Sequence, residues 1–171
     1  MPNRKLLAAS LILLCIAATP TTAPAPKEFT LEAVAPPFKL SHAKGSFVAL
    51  HFLLKTECPY CLKHVHTYAM RARELADVMQ VFIKPDAPEE IRRWASKIES
   101  PQPIIYRDAN AALAQAFKIP HGYKFHGQVV HYPALVLLDG EGNEVFRYVG
   151  KDNSDRLPFD QFAAKIAELR H

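Results

Sequence analysis

The sequence predicts an α/β fold, a mixed central sheet with helices on both faces, and three observations carry that expectation. Residues 47–54 are almost continuously apolar and β-prone, with His51 the one polar member, which is the pattern of a strand covered on both sides. The period then changes. Leu62, Val65, Ala69, Ala72, Ala76 and Met79 recur at intervals of three and four, as on the inner face of a helix over residues 59–79. Further on, the apolar run 134–138, the turn Asp139-Gly140-Glu141-Gly142-Asn143 and the run 145–149 read as a hairpin. Strand-to-helix units together with a hairpin make the sheet mixed.

The other elements fall between these. Residues 79–83 form a short apolar strand closed by Lys84 and Pro85, and Asp86, with Glu89 three positions on, is placed to cap a helix through Ile91, Trp94, Ala95 and Ile98. Trp94 belongs in the core beneath it. Residues 103–106 are another strand, and Asp108 caps a helix carrying Ala112, Leu113, Ala116 and Phe117. Residues 119–131, rich in His and Gly, read as a loop. Phe159, Phe162, Ala163, Ile166 and Leu169 mark a C-terminal amphipathic helix. The order is β-α-β-α-β-α-β-β-α.

At 171 residues, 49% hydrophobic and 22% charged, the chain is neither collagen-like, disordered nor a coiled coil, and one domain is expected. The net charge of +4 includes Arg4 and Lys5 and is too small and too evenly spread to suggest a nucleic-acid partner. Residues 1–26 read as an export signal and linker. A basic start precedes the apolar run 6–18, which is shorter than the roughly 18 to 20 residues of a spanning helix, and a small, proline-rich stretch follows. The expected mature domain is 27–171, periplasmic or secreted, with no stable membrane insertion once the signal is removed. Cys15 falls in the apolar core of the signal, with bulky Leu13 and Leu14 before it rather than the small residues of a lipoprotein site.

Two cysteines remain, Cys58 and Cys61. A loop that short constrains almost nothing in the unfolded chain, so the spacing points to chemistry rather than to a staple. Cys58-Pro59-Tyr60-Cys61 lies where a strand gives way to a helix, and there the free backbone N–H groups and the helix dipole favour an anion. Cys58 is therefore the expected nucleophile. Cys61, one turn deeper, is the expected resolving thiol. Lys55, Lys63 and His64 are placed to lower the Cys58 pKa further, with Glu57 opposing them. A structural zinc site would have to recruit His64 or His66, and a purely structural pair is a further alternative. Haem attachment needs His directly after the second Cys, where Leu62 stands.

With the Cys-x-x-Cys pair at a strand-to-helix junction, this order of elements, and Pro133 ahead of an apolar strand ending in Asp139-Gly140, the chain resembles the thioredoxin-like superfamily. Within it, the N-terminal extension (Phe38-Lys39-Leu40, then Gly45) resembles the redoxin branch of TlpA-like thiol-disulfide oxidoreductases and alkyl hydroperoxide reductase/thiol-specific antioxidant peroxiredoxins. The resemblance spans about residues 29–169. It implies that Pro133 is a cis-proline whose flanking backbone docks extended substrate chain. The peroxiredoxin pattern Pro-x-x-x-Thr-x-x-Cys meets His51 and Lys55 here, with Thr56 one place away, and Pro133 occupies the position of the peroxiredoxin arginine. The expected function is exported thiol-disulfide oxidoreduction without cofactor or metal. Its expected partners are protein or small-molecule thiols and disulfides and a redox partner that recycles the dithiol. A thiol peroxidase is the first alternative. A copper-binding or delivery module using Cys58, Cys61 and one of His121, His126 or His131 is the second.

Overall fold

The computed structural model describes residues 26–32, 37–55, 58–99 and 101–171. The export signal, Cys15, Thr56 and Glu57 lie outside the described residues. A two-stranded antiparallel sheet, β1 (Thr30–Leu31) with β2 (Phe38–Lys39), precedes the main sheet. That sheet contains β3 (Phe47–Phe52), β4 (Val78–Lys84), β5 (Ile105–Arg107), β8 (Ala134–Leu138) and β9 (Glu144–Val149), in the spatial order β5-β4-β3-β8-β9. β3 and β4 run parallel from Phe47↔Val78 to Phe52↔Ile83, β4 and β5 are parallel, and β3–β8 and β8–β9 are antiparallel. The sheet is mixed, as the pattern predicts.

Strand alternation divides the core in two. Ala49, Val78, Phe82, Leu135 and Leu137 pack with Cys61, Val65 and Tyr68 of α1 (Pro59–Arg71), Ile91 and Trp94 of α2 (Pro88–Ala95), and Phe159, Phe162 and Ile166 of α4 (Phe159–Leu169). Val48, Leu50, Phe52, Val81, Val136 and Leu138 pack on the other side with Leu113 and Ala114 of α3 (Ala112–Ala116), Phe117, Leu31 and Phe38. Each fully buried Leu or Phe contributes roughly 1.5–3 kcal/mol, so burial on both faces holds the layers together.

Several boundaries differ from the expectation. α1 ends at Arg71 and passes through a 3-10 turn, Ala72–Leu75, so that Met79 belongs to β4 and is exposed. α2 starts at Pro88, and Glu90 rather than Glu89 reaches back to the Ala87 N–H at 3.0 Å. Asp86 is buried beside Lys84, and the N-cap residue is Ala87. Asp108 does cap a helix: its two carboxylate oxygens accept the N–H groups of Leu113 at 2.8 Å and Ala114 at 3.0 Å. The His- and Gly-rich stretch is an ordered hairpin, β6 (His121–Phe125) with β7 (Gln128–His131). His126 and Gly127 at its tip both have positive φ, the geometry that closes so tight a turn.

Candidate active site

β3 ends behind the cysteines and α1 begins at them. Cys58 is the N-cap of α1 with Pro59 in the first turn, where a missing N–H is harmless. The Cys61 N–H donates to Cys58 Sγ at 3.0 Å, the first-turn donation that stabilises a thiolate. The two cysteines are joined as a disulfide with Cα atoms 5.1 Å apart, and both are 0% exposed. Strand, cap and helix thus place the pair where the sequence does.

What covers the pair comes from 95 residues further along, in the segment between β9 and α4. Gly150 begins it: a Cβ there would collide with the Asp155 carbonyl and lie 3.0 Å from Pro133 Cγ, so the segment can fold back only at glycine. Asp152 Oδ1 accepts from the N–H groups of Ser154 and Asp155, while Asp155 accepts from the Lys151 N–H at 2.8 Å and from the Tyr148 hydroxyl. These turns aim two side chains at sulfur. Asn153 Oδ1 lies 3.0 Å from Cys58 Sγ, and the Asn153 N–H donates to the Tyr123 hydroxyl at 2.8 Å, tying the segment to β6. Arg156 Nη2 is 3.2 Å from Cys61 Sγ and 3.7 Å from Cys58 Sγ. Its Nη1 donates to the carbonyls of Asp155 and Asp152, and burial pushes the guanidinium down to about 10, which leaves it charged at neutral pH.

Behind the sulfurs runs a chain of neutral imidazoles. Gln80 Nε2 donates to the Val78 carbonyl, so its Oε1 faces His51 Nε2 at 2.8 Å. His51 Nδ1 then accepts from His64 Nε2 at 2.9 Å, which leaves His64 Nδ1 without a proton. Burial pushes His51 down to about 4; it pushes His64 well below its ordinary value too, helped by the neighbouring His51 and Arg156. His64 therefore adds no positive charge to Cys58, contrary to expectation. Lys63 is exposed, and neither it nor Lys55 makes a hydrogen bond or ion pair with the cysteines. Arg156 supplies the cation instead.

Pro133 is buried immediately before β8 and shares a cavity of ≈ 10 Å³, room for about one water, with His64 and Arg156. Its carbonyl accepts the Gly150 N–H at 2.8 Å, and the N–H of the preceding Tyr132 donates to Pro120 at 2.8 Å. The backbone beside Pro133 is thus already paired within the chain. His121 and His131 face each other across the β6–β7 ladder, and His131 Nδ1 is 2.7 Å from the Tyr132 carbonyl. Among the described residues no group of three or more His, Cys, Asp or Glu is placed to hold a metal ion, and no helix is long and apolar enough to cross a membrane.

Arg156, Asn153 and Tyr123 are not among the site residues that the sequence predicts. Pro133 stands at the position of the peroxiredoxin arginine. A guanidinium reaches the sulfurs after all, from a different element. The one local sign is the turn-forming Lys151-Asp152-Asn153-Ser154-Asp155 ahead of Arg156, which predicts a tight turn but not where it points.

A family model described as AhpC/TSA matches residues 21–145. No curated protein matches the chain. Among solved structures, a putative thiol:disulfide interchange protein DsbE of Chlorobium tepidum is 19% identical with a TM-score of 0.63, covering 86% of this chain and 94% of its own. The exposed lipoprotein thioredoxin of Streptococcus pneumoniae is 19% identical with a TM-score of 0.66, covering 82% and 98%. PrxQ of Xylella fastidiosa is 12% identical with a TM-score of 0.71, covering 84% and 90%. At these identities the likeness shows a thioredoxin-like fold.

Proposed function

The chain belongs to the AhpC/TSA family, and from that premise we propose that it is an exported thiol-disulfide oxidoreductase in which Cys58 attacks and Cys61 resolves. The observation that carries the reading is the disulfide itself, set at the start of α1 with the Cys61 N–H on Cys58 Sγ. In the dithiol form the Cys58 thiolate attacks one sulfur of an external disulfide. That S–S bond breaks, its second sulfur leaves as a thiolate, and a mixed disulfide forms on Cys58. Cys61 then gives its proton to solvent and attacks Cys58 Sγ, which releases the second external sulfur as a thiolate and closes the internal disulfide. Every step is reversible, so the same groups serve reduction and oxidation. Asn153 suits both forms of Cys58: its carboxamide oxygen accepts from the thiol, and a half-turn presents its NH₂ to the thiolate.

Recycling calls for a second thiol or disulfide partner. Export of a mature domain starting near residue 27, and docking of substrate chain beside Pro133, belong to the proposal too. Docking at Tyr132 requires the Pro120 pairing to give way. N-terminal sequencing of the protein from the extracytoplasmic fraction tests export, and recovery of Met1 there contradicts cleavage.

One observation favours a thiol peroxidase as second reading: Arg156 beside the sulfurs supplies the kind of donor that stabilises charge as an O–O bond breaks. Stopped-flow mixing of the reduced protein with a protein disulfide and, separately, with hydrogen peroxide distinguishes the two. The proposal expects fast disulfide exchange and a peroxide rate near that of an ordinary low-pKa thiol. Peroxide reaction orders of magnitude faster than free cysteine thiolate, with slow exchange, overturns it.

A further inference from the structure

Arg156 is held in an unusual way for a charged side chain partly out of solvent. Its Nη1 has only the backbone carbonyls of Asp152 and Asp155, its Nε is buried with no hydrogen-bond partner, and among the described residues no carboxylate forms an ion pair with it. The two nearby carboxylates are turned to other donors, Asp155 to Tyr148 and the Lys151 N–H, Asp152 to Ser154. Both still attract the guanidinium through space, but the side-chain atoms at its Nη2 are the two sulfurs. A disulfide is a neutral, weak acceptor, whereas a thiolate is a full charge at hydrogen-bond distance, so the same contacts are far more favourable once the S–S bond is broken. The Cys61 N–H and the start of α1 act in the same sense on Cys58.

From this geometry we infer that Arg156 biases the Cys58–Cys61 couple toward its reduced form, so that the disulfide is an oxidant and electrons flow into it from external thiols. This deepens the oxidoreductase reading and rests on it, adding the direction and the substrate class: thiols as electron donors rather than disulfides as acceptors. The balance is simple. Two external thiols each lose a proton and one electron to join as a disulfide, the Cys58–Cys61 bond takes both electrons and breaks, and the protons go to Cys61 and to solvent, leaving Cys58 as the thiolate beside Arg156. A raised potential follows from a stabilised reduced state.

The test is equilibration of the full chain with glutathione redox buffers, reading the oxidised fraction after alkylation, for the wild type, Arg156→Gln and Arg156→Lys. The expected result is that Arg156→Gln makes the internal disulfide about tenfold harder to reduce, which is about 30 mV for two electrons, with Arg156→Lys between it and the wild type. An unchanged constant in Arg156→Gln, or a disulfide that becomes easier to reduce, overturns the inference alone. A wild-type disulfide that never exchanges with glutathione overturns the oxidoreductase reading beneath it. If Arg156→Gln fails to fold, the wild type still decides, because thiolate absorbance must then titrate well below the ordinary cysteine pKa of about 8.5. Titration at that ordinary value overturns the inference.

Discussion

Among the described residues two basic side chains, one fully and one partly out of solvent, are held in opposite ways. Lys84, at the end of β4, is 0% exposed, and its ammonium donates to the Leu54 carbonyl at 2.6 Å, lies 3.3 Å from Asp86 Oδ2 and sits over the Trp94 ring at 4.5 Å. Arg156 has backbone carbonyls and two sulfurs. Burial lowers both pKa values, and carboxylates oppose it in both: Asp86 through an ion pair with Lys84, Asp155 and Asp152 through space on Arg156. The difference teaches how to separate a structural charge from a functional one. A buried cation with a carboxylate, a carbonyl and a ring fixes the chain at Leu54 just past β3, whereas one aimed at a reactive pair has its strongest interaction reserved for the form that carries negative charge.

The largest expected effect breaks the comparison at Lys84. Lys84→Met leaves Asp86 without its ammonium in the core and should cost about 3–5 kcal/mol of stability by urea unfolding, whereas Arg156→Gln strands no carboxylate and should keep the oxidised protein's midpoint near the wild type. Equal losses in the two variants would show that both cations are structural.

Acid sharpens the contrast between charged Arg156 and the neutral imidazoles behind it. His51 is lowered from 6.5 to about 4 in the folded protein. The unfolded chain therefore binds more protons in that interval, and stability that is full above about pH 6.5 is lost as pH falls toward 4, with His64 and His131 adding in the same direction. Each titrating histidine contributes a slope of up to about 1.4 kcal/mol per pH unit. His51→Asn should flatten the urea midpoint against pH between 6.5 and 4.5. A flat wild-type profile there would contradict the neutral pair.

Position 150 tests whether the covering segment, rather than α1, buries the pair. Gly150→Ala forces a methyl into the Asp155 carbonyl and Pro133, which should cost about 1–3 kcal/mol and speed alkylation of Cys58 in the reduced protein. Stability lost without faster alkylation would mean that the segment does not control access. Tyr123→Phe removes one acceptor from the Asn153 N–H and should have the smallest effect, about 1 kcal/mol, with a modest rise in the same alkylation rate.

The half of the site that was legible in the sequence is the half made by local periodicity. Residues 47–54 are apolar because β3 is covered on both faces, and the change of period after Cys58 marks a helix because Val65 and Tyr68 are buried there. Cap, proline and second cysteine then follow within one turn. The covering half depends on contacts across about 95 residues, and nothing in Arg156 or Asn153 by itself announces a sulfur neighbour. The hairpin at residues 121–131 was hidden differently. Its turn needs positive φ at His126 and Gly127, and His-Gly is a weaker signal of such a turn than Asn-Gly or Asp-Gly. His51 was visible as the polar exception in an apolar strand, but its partners come from α1 and β4 and required the β3–β4 register to be known.

The central claim is the division of labour between Cys58 and Cys61. It is tested most directly by incubating reduced Cys61→Ser with a protein disulfide and locating the trapped adduct by mass spectrometry of the digested product. The account predicts a stable mixed disulfide on Cys58 in Cys61→Ser and no adduct on Cys61 in Cys58→Ser under the same conditions. An adduct forming on Cys61 in Cys58→Ser as fast as on Cys58 in Cys61→Ser would contradict it.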